Sequence, residues 1–155
     1  MEKIKVLVIT GSESDLIVME QSAEMLGVFG IPCATVVASA HRAPEKVLEL
    51  VREAEAAGAE LIIAGAGMSA ALPGVVASYS DLPVIGVPLD SGMLGGIDAL
   101  FSIVQMPTGI PVAAVAVGGA KNAAVLAARI LAIKYPEVSE KLKEYRRTLA
   151  EGGST

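Results

Sequence analysis

Val6-Leu7-Val8-Ile9, inside the run Lys5 to Thr10, is an apolar stretch with no polar alternation. A strand with one wet face alternates polar and apolar residues, so an unbroken run implies a strand buried on both faces. Similar runs recur at Ala34–Ala38, Leu61–Ala64, Val84–Val87 and Pro111–Val117. Helical patterns separate them. Leu16, Met19, Ala23 and Leu26 repeat at helical spacing from Leu16 to about Phe29, with Gly30 beyond. Pro44 to Ala57 carries Val47, Leu48 and Val51 on one face and is followed by Gly58. Further helices are expected at Leu72–Tyr79, Gly95–Gln105 and Lys121–Ile133. Tyr135-Pro136 breaks the last of these, and Glu137 to about Leu149 forms a terminal helix. Residues 151–155 read as a frayed tail. Strand alternating with helix implies a doubly wound parallel sheet of about five strands, because right-handed crossovers place helices on both faces.

Composition bounds what such a sheet can do. The 155 residues suit one domain, residues 1–155, and 53% are hydrophobic, 19% charged and only 3% aromatic. Small aliphatic side chains therefore fill the layers, and the apolar surplus points to surface buried between subunits. No apolar run reaches the roughly 18 residues of a membrane span, so no membrane partner is expected. The N terminus leads directly into a strand with no leader pattern, and a cytoplasmic location is expected. A net charge of −5 argues against nucleic acid as a partner. One cysteine, Cys33, permits neither an internal disulfide nor a zinc cluster and reads as a small buried hydrophobe. Met25, Met93 and Met106 read as gap fillers. The charges of the terminal helix read as a solvated face.

Ligands of doubly wound sheets bind off the carboxyl ends of the strands. The segments Gly11–Asp15, Ser39–Arg42, Gly65–Leu72 and Pro88–Gly96 all fall there. The second contains the chain's only histidine, His41, the side-chain type suited to proton transfer near neutral pH. Beside it, Arg42 can pair with phosphate, Ser39 can donate a hydrogen bond, and Pro44 can open a helix whose first N–H groups face the same space. Gly11-Ser12-Glu13-Ser14-Asp15 offers hydroxyls for phosphate and an aspartate for ribose, although helix capping by Ser12 or Ser14 explains that segment when it is read alone. It is neither a Walker loop nor a dinucleotide fingerprint. The small residues of Gly65–Gly74 let backbone approach a flat ring closely.

Together these stretches resemble the PurE family of de novo purine biosynthesis. The matching residues are Gly11-Ser12-Glu13-Ser14-Asp15, Ser39-Ala40-His41-Arg42-Ala43-Pro44, Leu72-Pro73-Gly74 and Pro83-Val84-Ile85-Gly86-Val87-Pro88. Asp98-Ala99-Leu100, Ser102-Ile103-Val104-Gln105-Met106-Pro107 and Lys121-Asn122-Ala123-Ala124 complete the set. The resemblance implies a flavodoxin-like three-layer αβα sandwich, a homo-octamer with sites at subunit contacts, and a reaction without metal or organic cofactor. N5-carboxyaminoimidazole ribonucleotide would become the 4-carboxy isomer by decarboxylation, trapping of carbon dioxide and recarboxylation at ring carbon. His41 would shuttle the proton. Ser12, Ser39 and Arg42 would hold the phosphate, with Ala40 between them. Asp15 would take the ribose hydroxyls, with Ser14 at the polar edge. The Gly65–Leu72 loop, including Gly67, Ser69, Ala71 and Leu72, would cover the imidazole and carboxylate. An ATP-dependent carboxylating enzyme would be a functional partner.

One residue departs from the pattern. The mutase branch usually carries histidine immediately before Leu-Pro-Gly, and here that residue is Ala71. The direct carboxylase branch, which uses free carbon dioxide, resembles the chain there, with a small residue and a serine two positions earlier, compare Ser69. Arg42, Pro88 and Gln105-Met106-Pro107 read as mutase. A flavin- or nucleotide-binding module would want aromatic residues to stack on the ring, and an oligomeric scaffold with an altered site would need no intact His41, Arg42 and Asp15.

Overall fold

The computed structural model describes residues 3–153. It contains one parallel sheet of five strands: β1 (Val6–Thr10), β2 (Cys33–Val37), β3 (Leu61–Gly67), β4 (Val84–Leu89) and β5 (Ala113–Ala114). Six α-helices connect and flank them: α1 (Leu16–Val28), α2 (Pro44–Ala56), α3 (Leu72–Tyr79), α4 (Ile97–Val104), α5 (Ala120–Leu131) and α6 (Pro136–Ala150). The strand order β2-β1-β3-β4-β5 is that of the flavodoxin-like sandwich, with its switch point between β1 and β3.

Alternate residues of the central strands feed two cores, which is why their sequences do not alternate. Val6, Val8, Leu61 and Ile63 pack under α1, α5 and α6, with Met19, Leu26, Phe29 and the small face of α5 (Ala123, Ala124, Ala127, Ala128). Leu7, Ile9, Ile62 and Ala64 pack under α2, α3 and α4, with Val47, Val51, Val76 and Ile103. Helices α1 and α2 stop where Gly30 (φ 68°) and Gly58 (φ 93°) take left-handed backbone. There the N–H groups of Ile31 and Ala59 donate back to the carbonyls of Leu26 and Ala54, closing each end in a Schellman cap. Among the described residues, no helix is long and apolar enough to cross a membrane.

Several elements differ from the sequence expectations. Strand β5 is two residues, not Pro111–Val117. Proline at 111 offers no N–H, and at this sheet edge the chain keeps only scattered bonds to β4, such as Val115 N–H to the Gly86 carbonyl. Strand β3 runs on through Gly67 because β1 and β4 extend alongside it, pairing Thr10 with Gly65 and Leu89 with Gly67. The first three residues of the expected glycine-rich loop, Gly65–Gly67, are therefore strand. Gly95 (φ 59°) and Gly96 (φ 81°) stand outside α4. Met93 is fully exposed rather than a gap filler, while Met25 is buried. Cys33 is only half-buried, and desolvation pushes its thiol pKa up. Residues 151–153 cap α6, with Gly153 N–H donating to the Thr148 carbonyl at 3.0 Å. Ser154 and Thr155, the rest of the expected tail, lie outside the described residues.

Candidate active site

The carboxyl ends of β1, β2 and β3 open into a cleft of about 580 Å³ straddling the switch point. That volume suits a small nucleotide-sized ligand. Every site residue picked out from the sequence lines it: Ser12, Ser14, Asp15, Ser39, Ala40, His41, Arg42, Gly67, Ser69, Ala71 and Leu72. They come from three crossovers, and the sheet order brings them together.

After β1 the chain turns through Gly11 and Ser12 into a single 3-10 turn, Glu13–Asp15, before α1. Neither serine caps a helix through its side chain, contrary to the capping reading. The Ser12 hydroxyl donates to Asp15 Oδ2 at 2.7 Å and lies 2.8 Å from Ser14 Oγ. After β2, the Ala38 N–H donates to the Thr10 carbonyl, which holds the second crossover beside the first. The turn then closes on itself. Ala43 N–H donates to the Ser39 carbonyl at 2.9 Å, and Arg42 N–H donates to Ser39 Oγ at 3.3 Å. This turn leaves His41 and Arg42 exposed on its crest, and Pro44 opens α2 behind them as expected. The Arg42 guanidinium reaches back to the Gly11 carbonyl at 3.4 Å, tying the two loops.

After β3, Met68 takes left-handed backbone (φ 53°), which costs a residue with a side chain about 1 kcal/mol or more. Strained backbone held by its surroundings is typical of ligand sites. Ala71, the position of the departure noted above, precedes α3 at the cleft wall and is half-buried.

The cleft also includes residues not singled out: Gly11, Ala66, Met68 and Ser91. Ser91 is the informative omission. It follows β4, a segment expected to face the site, and donates from Oγ to Asp15 Oδ1 at 3.2 Å. No local signal marks that serine, because its partner lies 76 residues away. Among the described residues, no group of three or more histidine, cysteine, aspartate or glutamate side chains could hold a metal ion.

Fold and cleft together define a flavodoxin-like sandwich whose cleft is lined by serines, an arginine, an aspartate and one histidine. Comparison with known proteins gives the family. The model described as AIR carboxylase matches residues 5–152, and the chain belongs to that family. It is 56% identical over 148 residues to the N5-carboxyaminoimidazole ribonucleotide mutase of Pyrococcus horikoshii, covering 96% of this chain and 84% of that one. The mutase of Thermotoga maritima is also 56% identical, with 94% of this chain and 85% of that one covered. The crystal structure of Treponema denticola PurE superposes with a TM-score of 0.87 at 36% identity, over 95% of this chain and 92% of that one.

Proposed function

We propose that this protein isomerises N5-carboxyaminoimidazole ribonucleotide to 4-carboxy-5-aminoimidazole ribonucleotide in purine biosynthesis. The observation that carries the reading is the convergence of His41, Arg42, Asp15 and five serines in one cleft, in a chain 56% identical to relatives named as mutases. In this reading Arg42 and Ser39 hold the phosphate and Asp15 accepts from the ribose hydroxyls, while the Ser12 hydroxyl, expected to join the phosphate, is given to Asp15. Phosphate binding remote from the chemistry orients the imidazole. As the carbamate carbon–nitrogen bond breaks, His41 gives a proton to the exocyclic nitrogen and carbon dioxide is released into the cleft. Ring carbon then attacks the trapped carbon dioxide, and His41 takes the proton from that carbon. The imidazole ends as it began, as an isomerisation requires. The turn Gly67–Leu72 lies over the ring and keeps the gas from escaping.

His41→Asn tests the role directly. It keeps shape and some hydrogen bonding but cannot transfer a proton, so kcat falls about 10²- to 10⁴-fold with the fold intact. Retained full activity overturns the assignment. A second reading, direct carboxylation by free carbon dioxide, is favoured by one observation: Ala71, not histidine, lines the cleft wall. Ultraviolet absorbance distinguishes the two. Fast turnover of the N5-carboxy substrate at low bicarbonate supports the mutase. Preferential use of aminoimidazole ribonucleotide under saturating carbon dioxide supports the carboxylase.

The active form in this reading is a cytoplasmic homo-octamer of single-domain chains, coupled to an ATP-dependent enzyme that supplies the carbamate. The support for assembly is α4, which presents large apolar side chains to solvent as well as to the core. Ala99 and Ile103 face the core, while Ile97, Phe101 and Val104 are more than half exposed. An apolar stripe of this kind left in water marks a surface that a partner covers.

A further inference from the structure

Asp15 is gripped from both sides. Ser12, on its own turn, donates to Oδ2, and Ser91, from the loop beyond β4, donates to Oδ1. A carboxylate rotates freely about its last bond unless something fixes its plane, and one hydrogen bond on each oxygen does so. Each oxygen can accept two hydrogen bonds, so each retains capacity for a ligand.

The approach of Ser91 has a steric condition. Gly67 pairs with Leu89 at the end of β3, which sets it beside the start of the loop that carries Ser91. A Cβ on Gly67 would overlap Ser91 Cβ and Oγ and would lie 3.2 Å from the Leu89 carbonyl oxygen. Gly67 is not in left-handed backbone, so conformational freedom does not account for it. Close approach does.

We propose that Ser91 is a positioning residue that fixes the plane of the Asp15 carboxylate for the vicinal diol of a ribose, and that residue 67 is glycine to admit it. The proposal rests on the reading of Asp15 as the ribose acceptor. It adds the fourth crossover to a site that otherwise uses three, and it explains Ser91 and Gly67 by one arrangement.

The test is a double-mutant cycle in steady-state turnover of N5-carboxyaminoimidazole ribonucleotide, with wild type, Ser91→Ala, Asp15→Ala and the double variant. A hydrogen bond to an ionised group, discounted for exposure, gives Ser91→Ala a KM about five- to ten-fold higher, with kcat changed less than about two-fold. In the Asp15→Ala background the same change moves KM less than about two-fold, because no carboxylate remains to orient. Gly67→Ala raises KM by a similar factor and adds nothing further in the Ser91→Gly background. A wild-type KM in Ser91→Ala, or an equal factor in both backgrounds, overturns the positioning role. Wild-type protein that turns over neither carbon source overturns the functional reading, and this proposal with it. Wild-type turnover with uncoupled variants overturns this proposal alone.

Discussion

Glu60→Gln is the sharpest test of what holds the closed end of the sheet. Glu60 stands just before β3. It accepts hydrogen bonds from Lys5, before β1, from the Tyr135 hydroxyl between α5 and α6, and from Lys134 Nζ at 2.9 Å. Lys5 and Lys134 also sit over the Tyr135 ring, 4.7 and 5.2 Å from its centroid. Partial desolvation alone would raise the Glu60 carboxyl pKa. The hydrogen bonds from Lys5, Tyr135 and Lys134 outweigh it and hold the group at about 2, against an ordinary 4.5. At about 1.4 kcal/mol per unit this bounds the stabilisation near 3 kcal/mol, and solvent screening of a side chain 24% exposed reduces it to about 1–2 kcal/mol. The folded value lies below the unfolded one, so the contribution is complete above pH 4.5 and is lost as pH falls toward 2. Urea unfolding at fixed protein concentration should show Glu60→Gln less stable than wild type by about 1–2 kcal/mol at pH 7, with the gap clearly smaller at pH 3 and closing toward pH 2. A gap of the same size at both pH values, or none at pH 7, refutes the reasoning.

Three other outcomes follow from single residues. Thr10 is fully buried, and its hydroxyl has no partner among the described residues, so Thr10→Val should stabilise by about 1 kcal/mol and raise the melting temperature; a loss of stability would show a partner. Arg42→Gln removes the cation proposed to hold the phosphate and should raise KM about 10- to 100-fold, with a smaller change in kcat, in the assay above; an unchanged KM rules out the phosphate role. Phe101, 57% exposed on α4, becomes a buried charge if a second copy covers that face. Phe101→Glu should therefore lower the mass seen by light scattering without unfolding the chain, and an unchanged mass places the contact elsewhere.

Much of this was legible because the relevant physics is local. Val6–Ile9 and Leu61–Ala64 are apolar without alternation, and they are the doubly buried centre of the sheet. Gly30 and Gly58 mark helix ends because left-handed backbone favours glycine. The site segments could be chosen because each follows a strand. The remainder depends on pairings remote in sequence. The ends of β3 and β5 are set by whether a neighbouring strand continues, which no residue in Gly65–Met68 or Val115–Val117 announces. Ser12 and Ser14 look like caps until Asp15 is seen to take the Ser12 hydroxyl. Lys5, Glu60 and Tyr135 look like ordinary surface residues, and only the fold unites them across 55 and 75 positions.

The two ends of the sheet are built on opposite principles. At the amino ends of the strands, one carboxylate collects two cations and a phenol, and polar groups satisfy one another. At the carboxyl ends, the Arg42 guanidinium meets only the Gly11 carbonyl among the described residues, Met68 holds strained backbone, and Asp15 is oriented by hydroxyls rather than neutralised by a cation. A guanidinium and a carboxylate kept apart within one cleft are an arrangement that an isolated chain gains little from, since pairing them would serve stability better. A ligand that brings its own anion to Arg42 and its own hydroxyls to Asp15 satisfies both. The separation of charge across the switch point is what the proposed function calls for, with a phosphorylated ribose meeting both groups at once.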